Sequence, residues 1–168
     1  MKLDYIYVSP LLRAYATGQA VRDAQPSPKP PFTANPNLRE QHFGIAEGHP
    51  WEELAPGQTE EEMIAKNVFP ALFSPSAKFP EGESINDLAR RAEEAIRECV
   101  LPHVLEDSVH IAIASHGLCI SELIAALLRL DPDASRNVSY RGLLNTAWTR
   151  VMISVKVMEN HIRLGVEC

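Results

Sequence analysis

The chain has 168 residues, of which 45% are hydrophobic and 23% charged, and its formal net charge is −6 at pH 7. This length and balance are typical of one globular domain that buries its own hydrophobic core. The acidic charge argues against nucleic acid or an anionic membrane as the partner, and no apolar run approaches the roughly 20 residues that span a bilayer.

The cysteines are the next constraint. Cys99, Cys119 and Cys168 are widely spaced and form no CxxC pair. An odd, dispersed set predicts neither a disulfide framework nor a zinc knuckle, so we expect no metal site and a reducing compartment. The first residues do not have the pattern of a signal peptide. The expected location is therefore the cytoplasm.

The start of the chain predicts a strand, a helix and a proline-rich loop. Tyr5–Val8 (YIYV) is β-branched and aromatic, as strands are. A helical pattern covers residues 11–20, with Ser9 at the cap position and Pro10 in the first turn. Residues 24–37 contain five prolines and predict an extended surface loop rather than a linker between domains.

Two further helices are predicted in the middle of the chain. Thr59 and Glu62 stand at capping-box spacing and predict a helix over 59–69. Residues 84–100 form the clearest helical pattern, with an apolar stripe on one side and charged residues that are expected to face water. The stripe is Ile85, Leu88, Ala92, Ile96 and Cys99, and the charged residues are Arg90, Arg91, Glu93, Glu94 and Arg97.

The last part of the chain returns to strands. Residues 111–114 (IAIA) have the length and bulk of a buried strand, and 118–130 form an apolar helical stretch. Residues 150–158 and 161–167 predict two strands with a hairpin turn between them. The alternation of strands and helices predicts an α/β fold, a three-layer sandwich with a mainly parallel central sheet flanked by helices.

Two of these strands run directly into helices, at YVSPLLRA and IASHGL. In a parallel sheet such junctions lie at the carboxyl ends of the strands, where ligands bind, and helix N-termini favour anions, phosphate above all. Arg13 in the first junction can bind two phosphate oxygens at once. In the second, His116 can donate or accept a proton near neutral pH, and Gly117 lets the backbone approach a ligand.

Glu40 lies just beyond the proline-rich loop. A carboxylate beside an anion site is unfavourable unless it is protonated at work, and a raised pKa would suit it to protonate a leaving oxygen. From the residues alone the alternatives stay open. His116 can be a structural hydrogen-bonding histidine, Arg13 a solvated helix residue and Glu40 a solvated loop residue.

Four motifs, SPLLRAYATG, LREQHFGIAEG, FPEGES and IASHG, resemble the histidine phosphatase superfamily in their order and spacing. The resemblance covers residues 5 to about 155 and implies a phosphoglycerate mutase-like fold without a cofactor. It implies that Arg13 is the second phosphate-binding arginine, Glu40 the proton donor and His116 the second histidine, which contacts the phosphoryl group. The backbone at Gly117 and Leu118 would lie against the same phosphate.

One element of the family pattern is not found. The family's nucleophile is the histidine of an Arg-His-Gly at the end of its first strand, and these 168 residues contain no Arg-His-Gly. The resemblance therefore implies a single, N-terminally truncated phosphoglycerate mutase-like domain over 1–168, with the first strand missing and the chain itself inactive or nearly so. We expect the exposed sheet edge to pair with another copy, forming a homo-oligomer, or to rearrange.

The implied function is that of a phosphatase that hydrolyses a small phosphorylated metabolite through a phosphohistidine. Its ligand would be that substrate or a phosphate ion. Leu118 and Ser121 stand where many relatives have glycine and arginine, which argues against a glycolytic mutase. The alternative is a non-catalytic protein that binds a phospho-ligand or another protein, and phosphoglycerate mutase activity is a third possibility.

Overall fold

The computed structural model describes residues 1–134, 145–158 and 161–167. The chain divides into two compact units, Met1–Glu40 with Ala89–Cys168, and Gln41–Leu88. Its strands and helices in chain order are β1 Tyr5–Val8, α1 Leu12–Asp23, β2 Phe32–Ala34, β3 Trp51–Glu52, α2 Glu60–Ile64, β4 Phe69–Pro70, α3 Ile85–Cys99, β5 Ile111–Ala114, α4 Gly117–Leu130, β6 Met152–Met158 and β7 His161–Glu167.

The central sheet of the first unit has three parallel strands in the order β2-β1-β5. Ile6 of β1 lies opposite Phe32 of β2 on one side and Ala112 of β5 on the other. The predicted α/β fold with a mainly parallel sheet and helices is thereby confirmed.

The expectation that all of residues 24–37 form a loop is wrong, because β2 lies within this range. Phe32–Ala34 contains no proline, so its backbone N–H groups remain available for pairing. The carbonyl of Pro31 accepts a hydrogen bond from Ile6 N–H at 3.0 Å, and Asn35 N–H donates to Val8 at 2.9 Å. Proline is tolerated next to such a strand because β2 lies at the edge of the described sheet.

Helix α1 begins two residues later than a cap at Ser9 would place it. Its N-cap residue is Leu11, which makes no side-chain capping bond. Ser9 is fully buried instead, and its Oγ accepts a hydrogen bond from Leu11 N–H at 3.2 Å. The serine therefore stabilises the turn between strand and helix rather than the helix itself.

Helices α3 and α4 and the last two strands follow the predicted patterns. Four of the five stripe residues of α3 are buried and Ile85 is half-buried. Helix α4 buries six residues, Cys119, Leu123, Ile124, Ala126, Leu127 and Leu128. Strands β6 and β7 pair antiparallel from Met152 opposite Glu167 to Met158 opposite His161. The predicted turn falls on residues 159 and 160, which lie outside the described residues.

The second unit, residues 41–88, has a small core of Ala46, Phe69 and Phe79. Gly44 has a φ of +60°, and a Cβ there would come within 2.0 Å of the Pro80 carbonyl oxygen. Only glycine at position 44 therefore allows residues 42–44 to pack this closely against residues 79–82.

The predicted capping box of α2 is confirmed. Thr59 Oγ1 accepts from Glu62 N–H at 3.2 Å, and a Glu62 carboxylate oxygen accepts from Thr59 N–H at 3.1 Å. The helix is shorter than predicted, since it ends at Ile64 and Asn67 adopts a left-handed conformation with a φ of 55°. Within the described ranges, no helix is both long and apolar enough to cross a membrane.

Gly18 offers a test of how α1 packs on the sheet. An added Cβ would lie 2.2 Å from Val8 Cγ1, and Val8 is fully buried. Alanine favours a helix over glycine by about 1 kcal/mol. We nevertheless expect Gly18→Ala to lower the free energy of unfolding by about 1–3 kcal/mol, because of this overlap. Urea unfolding of Gly18→Ala, with and without Val8→Ala, measures the effect. The cost should shrink when Val8 is truncated, and a more stable Gly18→Ala single variant would contradict the packing argument.

Candidate active site

His116 lies where β5 passes into α4. Its backbone is extended, with φ −131° and ψ 163°, and it is the N-cap residue of α4, although its side chain makes no capping bond. The imidazole is 7% exposed, and its Nε2 lies 2.8 Å from Ser9 Oγ. Ser9 N–H donates in turn to the Ala114 carbonyl at 2.8 Å. The two strand-to-helix junctions are therefore joined to each other by hydrogen bonds.

The surroundings of His116 favour its neutral form. Burial, as the largest cause, lowers the pKa of His116 below its ordinary 6.5, and the positive charge of Arg13 lowers it further. Glu40 opposes this shift and Arg91 adds to it. The imidazole is therefore mainly uncharged near neutral pH, and Arg13, Glu40 and Arg91 all lie within electrostatic reach of it.

The carboxylate of Glu40 lies against the first turn of α4. Its carboxylate accepts hydrogen bonds from Leu118 N–H at 3.3 Å and from Cys119 N–H at 3.1 Å. The first N–H groups of a helix have no partner within the helix, and a carboxylate there is also favoured by the helix dipole. Glu40, rather than the N-cap residue His116, therefore satisfies this helix end.

The backbone beside this carboxylate is open. A Cβ added at Gly117 would meet no atom within 4 Å, so the protein's own packing does not require glycine at this position. The side chain of Leu118 is 40% exposed, and Arg13 is exposed in the first turn of α1. A ligand can therefore approach the N–H groups at the start of α4 from solvent.

Arg91 holds the segment that carries Glu40. Its Nη1 donates to the carbonyls of Asn37 at 3.0 Å and Arg39 at 2.8 Å, and its Nη2 donates to the carbonyl of Glu40 at 3.2 Å. The expectation that Arg91 faces water is therefore wrong. Arg91 lies three residues after the buried Leu88 and four before the buried Ala95, so it stands at the border of the buried face of α3, and this spacing is the signal in the sequence.

A further hydrogen bond connects residues 37–40 to the junction between β5 and α4. The hydroxyl of Ser115 donates to the Leu38 carbonyl at 2.7 Å, and Leu38 is fully buried. The sequence reasoning also missed Ser9 as a partner of His116. The Ser-Pro pattern at Ser9 indicates a helix cap, and no local pattern indicates a contact with a residue 107 positions away.

The structure thus places His116 and the carboxylate of Glu40 at the N-terminus of α4, beside the N–H groups of Leu118 and Cys119. Arg13 lies within electrostatic reach of the same imidazole. An imidazole, a guanidinium and helix N–H groups are donors suited to bind a tetrahedral oxyanion. Among the residues that the structure describes, no group of three or more His, Cys, Asp or Glu could hold a metal ion.

Known proteins with similar sequences are named as mutases. The probable phosphoglycerate mutase GpmB of Yersinia enterocolitica is 31% identical over 140 residues, which cover 83% of this chain and 60% of that protein. GpmB of Yersinia pestis strain Pestoides F is 30% identical over the same shares. The chain therefore spans about 60% of the length of these curated relatives.

Solved structures with a similar fold include phosphatases. A mycobacterial glucosyl-3-phosphoglycerate phosphatase aligns with a TM-score of 0.56 and 22% identity over 98% of this chain and 76% of that one. The same phosphatase in complex with inorganic phosphate gives 0.57 and 23%, over 99% and 76%. The ecdysone phosphate phosphatase of Bombix mori, in complex with tungstate, gives 0.51 and 21%, over 89% and 56%.

A model of one protein family matches almost the entire chain. It is described as the histidine phosphatase superfamily, branch 1, and the match covers residues 1–159. This range includes all of the second unit, most of the first and all four motifs that carry the resemblance. The chain belongs to the histidine phosphatase superfamily.

Proposed function

We propose that the protein is a phosphatase that hydrolyses a small phosphorylated metabolite through a phosphohistidine, with the nucleophilic histidine supplied from outside these 168 residues. The observation that carries the proposal is the hydrogen bond between Ser9 and His116, which joins the two strand-to-helix junctions. Arg13 and Glu40 both influence the pKa of the same imidazole. The membership in the family and the fold shared with phosphatases support it.

Each residue has a distinct role in the proposed reaction. The nucleophile forms a bond to phosphorus while the bond to the leaving oxygen breaks, and Glu40 gives that oxygen its proton. Arg13, His116 and the N–H groups of Gly117 and Leu118 hold the phosphoryl oxygens. Water then cleaves the phosphohistidine, releasing inorganic phosphate and the free histidine.

Glu40 must leave the amides of α4 for this reaction to proceed. The N–H of Leu118 is shared between the carboxylate and the proposed phosphate site, so a phosphate that binds there takes the place of the carboxylate. The negative charge of the phosphate favours the protonated form of a nearby carboxyl group. Binding of the substrate phosphate therefore also favours the protonated form of Glu40, which the leaving oxygen needs as its proton donor.

A second candidate is phosphoglycerate mutase activity, which the names of the curated relatives favour. Both activities use the same phosphate-binding residues, so the geometry described above fits either. They differ in the fate of 3-phosphoglycerate, which a mutase isomerises and a phosphatase converts to glycerate and phosphate. We further propose a cytoplasmic location, which is supported by Cys99 and Cys119, two buried cysteines that form no disulfide in the described part of the chain.

Strand β5 is the basis for a proposal on assembly. The carbonyls of His110 and Ala114 accept from β1, so the N–H and C=O groups of Ile111 and Ile113 point to the opposite edge. Among the described strands, none pairs with that edge. Ile111 and Ile113 also line a cavity of about 380 Å³, together with Trp148. We propose that a second copy of the chain covers this edge.

The proposed reaction is tested by phosphate release from a set of small phosphate esters, including sugar phosphates and 3-phosphoglycerate. The 168-residue chain should release no phosphate above background, whereas a longer protein that includes an Arg-His-Gly segment should be active. In the longer protein, Glu40→Gln should lower kcat by about 10²–10⁴-fold through loss of the proton donor, and Arg13→Ala by about 10²–10³-fold. Equal activity with and without the added segment would contradict the role of an external nucleophile. Anion binding without turnover in both would favour the non-catalytic alternative.

The lowered pKa of His116 predicts that anion binding is coupled to proton uptake. The imidazole is neutral in the free protein, and a dianion beside it stabilises the charged form. Tungstate affinity should therefore rise as the pH falls from about 8 to about 6.5. Calorimetry in buffers of different ionisation enthalpy counts the protons taken up. His116→Gln should remove most of this uptake. An unchanged proton count in this variant would assign the uptake to another group.

The proposal that a second copy of the chain pairs with the β5 edge is tested by measuring the molecular mass in solution with light scattering. We expect the chain to form dimers or larger assemblies whose fraction rises with concentration. Ile113→Pro removes an N–H that points away from β1, so it should block edge pairing without breaking the ladder between β1 and β5. The variant should shift the population toward monomer with an unchanged circular dichroism spectrum. A wild-type chain that stays monomeric with an intact sheet would refute the proposal.

A further inference from the structure

Arg91 is connected to the site through backbone atoms. It donates to three carbonyl oxygens within four consecutive residues, those of Asn37, Arg39 and Glu40, at 2.8–3.2 Å. A planar guanidinium directs its N–H groups along fixed directions, so it can fix the positions of several acceptors at once. A flexible ammonium group lacks this geometry.

The segment held in this way ends at the residue whose side chain reaches α4. Glu40 is bound to Arg91 through its backbone carbonyl and to Leu118 and Cys119 through its carboxylate. Fixing the backbone at Asn37, Arg39 and Glu40 limits the positions from which the carboxylate can extend. The contact of the Glu40 carboxylate with the amides of α4 therefore depends on the hydrogen bonds that Arg91 makes to this backbone.

We propose that Arg91 is a positioning residue that places the Glu40 carboxylate on the first N–H groups of α4, where it competes with phosphate until a substrate displaces it. The inference rests on the proposed function, because it assigns a role toward the same phosphate site. It adds a residue that the family resemblance did not supply.

Arginines on the exposed side of the same helix provide a matched control. Arg97 is paired with Glu94 at 2.8 Å on the surface, and its side chain is 62% exposed. An arginine-to-lysine change at Arg97 keeps the charge and alters nothing near Glu40. The same change at Arg91 also keeps the charge but removes the forked geometry. Comparison of the two substitutions isolates positioning from charge.

The experiment is a double-mutant cycle between Arg91→Lys and Glu40→Gln. The probe is inorganic phosphate at about pH 8, at constant ionic strength, followed by the amide NMR signals of Leu118 and Cys119. Glu40→Gln should tighten phosphate binding by about tenfold, since it removes a competing carboxylate whose hydrogen bonds are each worth on the order of 1 kcal/mol. Arg91→Lys should tighten it by roughly 2–5-fold, and by less than about twofold in the Glu40→Gln background. Arg97→Lys should leave the affinity unchanged.

The outcomes separate this inference from the function on which it rests. Equal effects of Arg91→Lys in both backgrounds, or no effect in the wild type, would overturn the positioning role while leaving the phosphate site intact. Arg91→Gln is made in parallel, and unfolding of both Arg91 variants would make the residue purely structural and overturn the inference. Phosphate binding that is unaffected by Arg13→Ala would instead refute the proposed site itself.

Discussion

The parallel pairing of β1 with β5 is the constraint on which the rest of the site depends. It brings two strand-to-helix junctions, 107 residues apart at Ser9 and His116, to the same edge of the sheet, where one hydrogen bond of 2.8 Å joins them. Because Ser9 is fully buried and His116 nearly so, a shift of either strand would leave a buried polar group unsatisfied. The position of the imidazole is therefore fixed by the register of the sheet.

The N–H groups at the N-terminus of α4 have one role in the structure and a second role in the proposed function. In this structure the carboxylate of Glu40 satisfies them, which stabilises a helix end that would otherwise be left to water. The phosphate site that we propose uses one of these donors, the N–H of Leu118. In the proposed function, a ligand therefore exchanges one anion for another rather than entering an empty positive pocket. This resolves the apparent conflict of placing a carboxylate beside an anion site.

Much of the fold and site could be predicted from the sequence, because both depend on local patterns. The strand-to-helix junctions, the helix over residues 84–100 and the capping box of α2 follow from short-range spacing and are all found. Apart from the early end of α2, the features that differ from the prediction depend on partners distant in sequence. Strand β2 forms among prolines because β1 pairs with it, and Ser9 binds His116 rather than capping α1. Arg91 was assigned to water because helical periodicity cannot show that backbone carbonyls lie at the border of the apolar stripe.

These long-range contacts share a physical cause. The segment that leads to Glu40 has little regular structure beyond a short turn at Pro36–Leu38, so its carbonyls need partners from elsewhere in the chain. Arg91 and Ser115 provide them through one guanidinium and one hydroxyl. A loop that is held by side chains can be placed accurately without secondary structure, and an acid on such a loop can change its contacts while its backbone stays fixed. Glu40 meets the first condition, since its backbone carbonyl is bound to Arg91. The proposed function requires the second, in which the carboxylate gives up its place on the amides of α4 to a ligand.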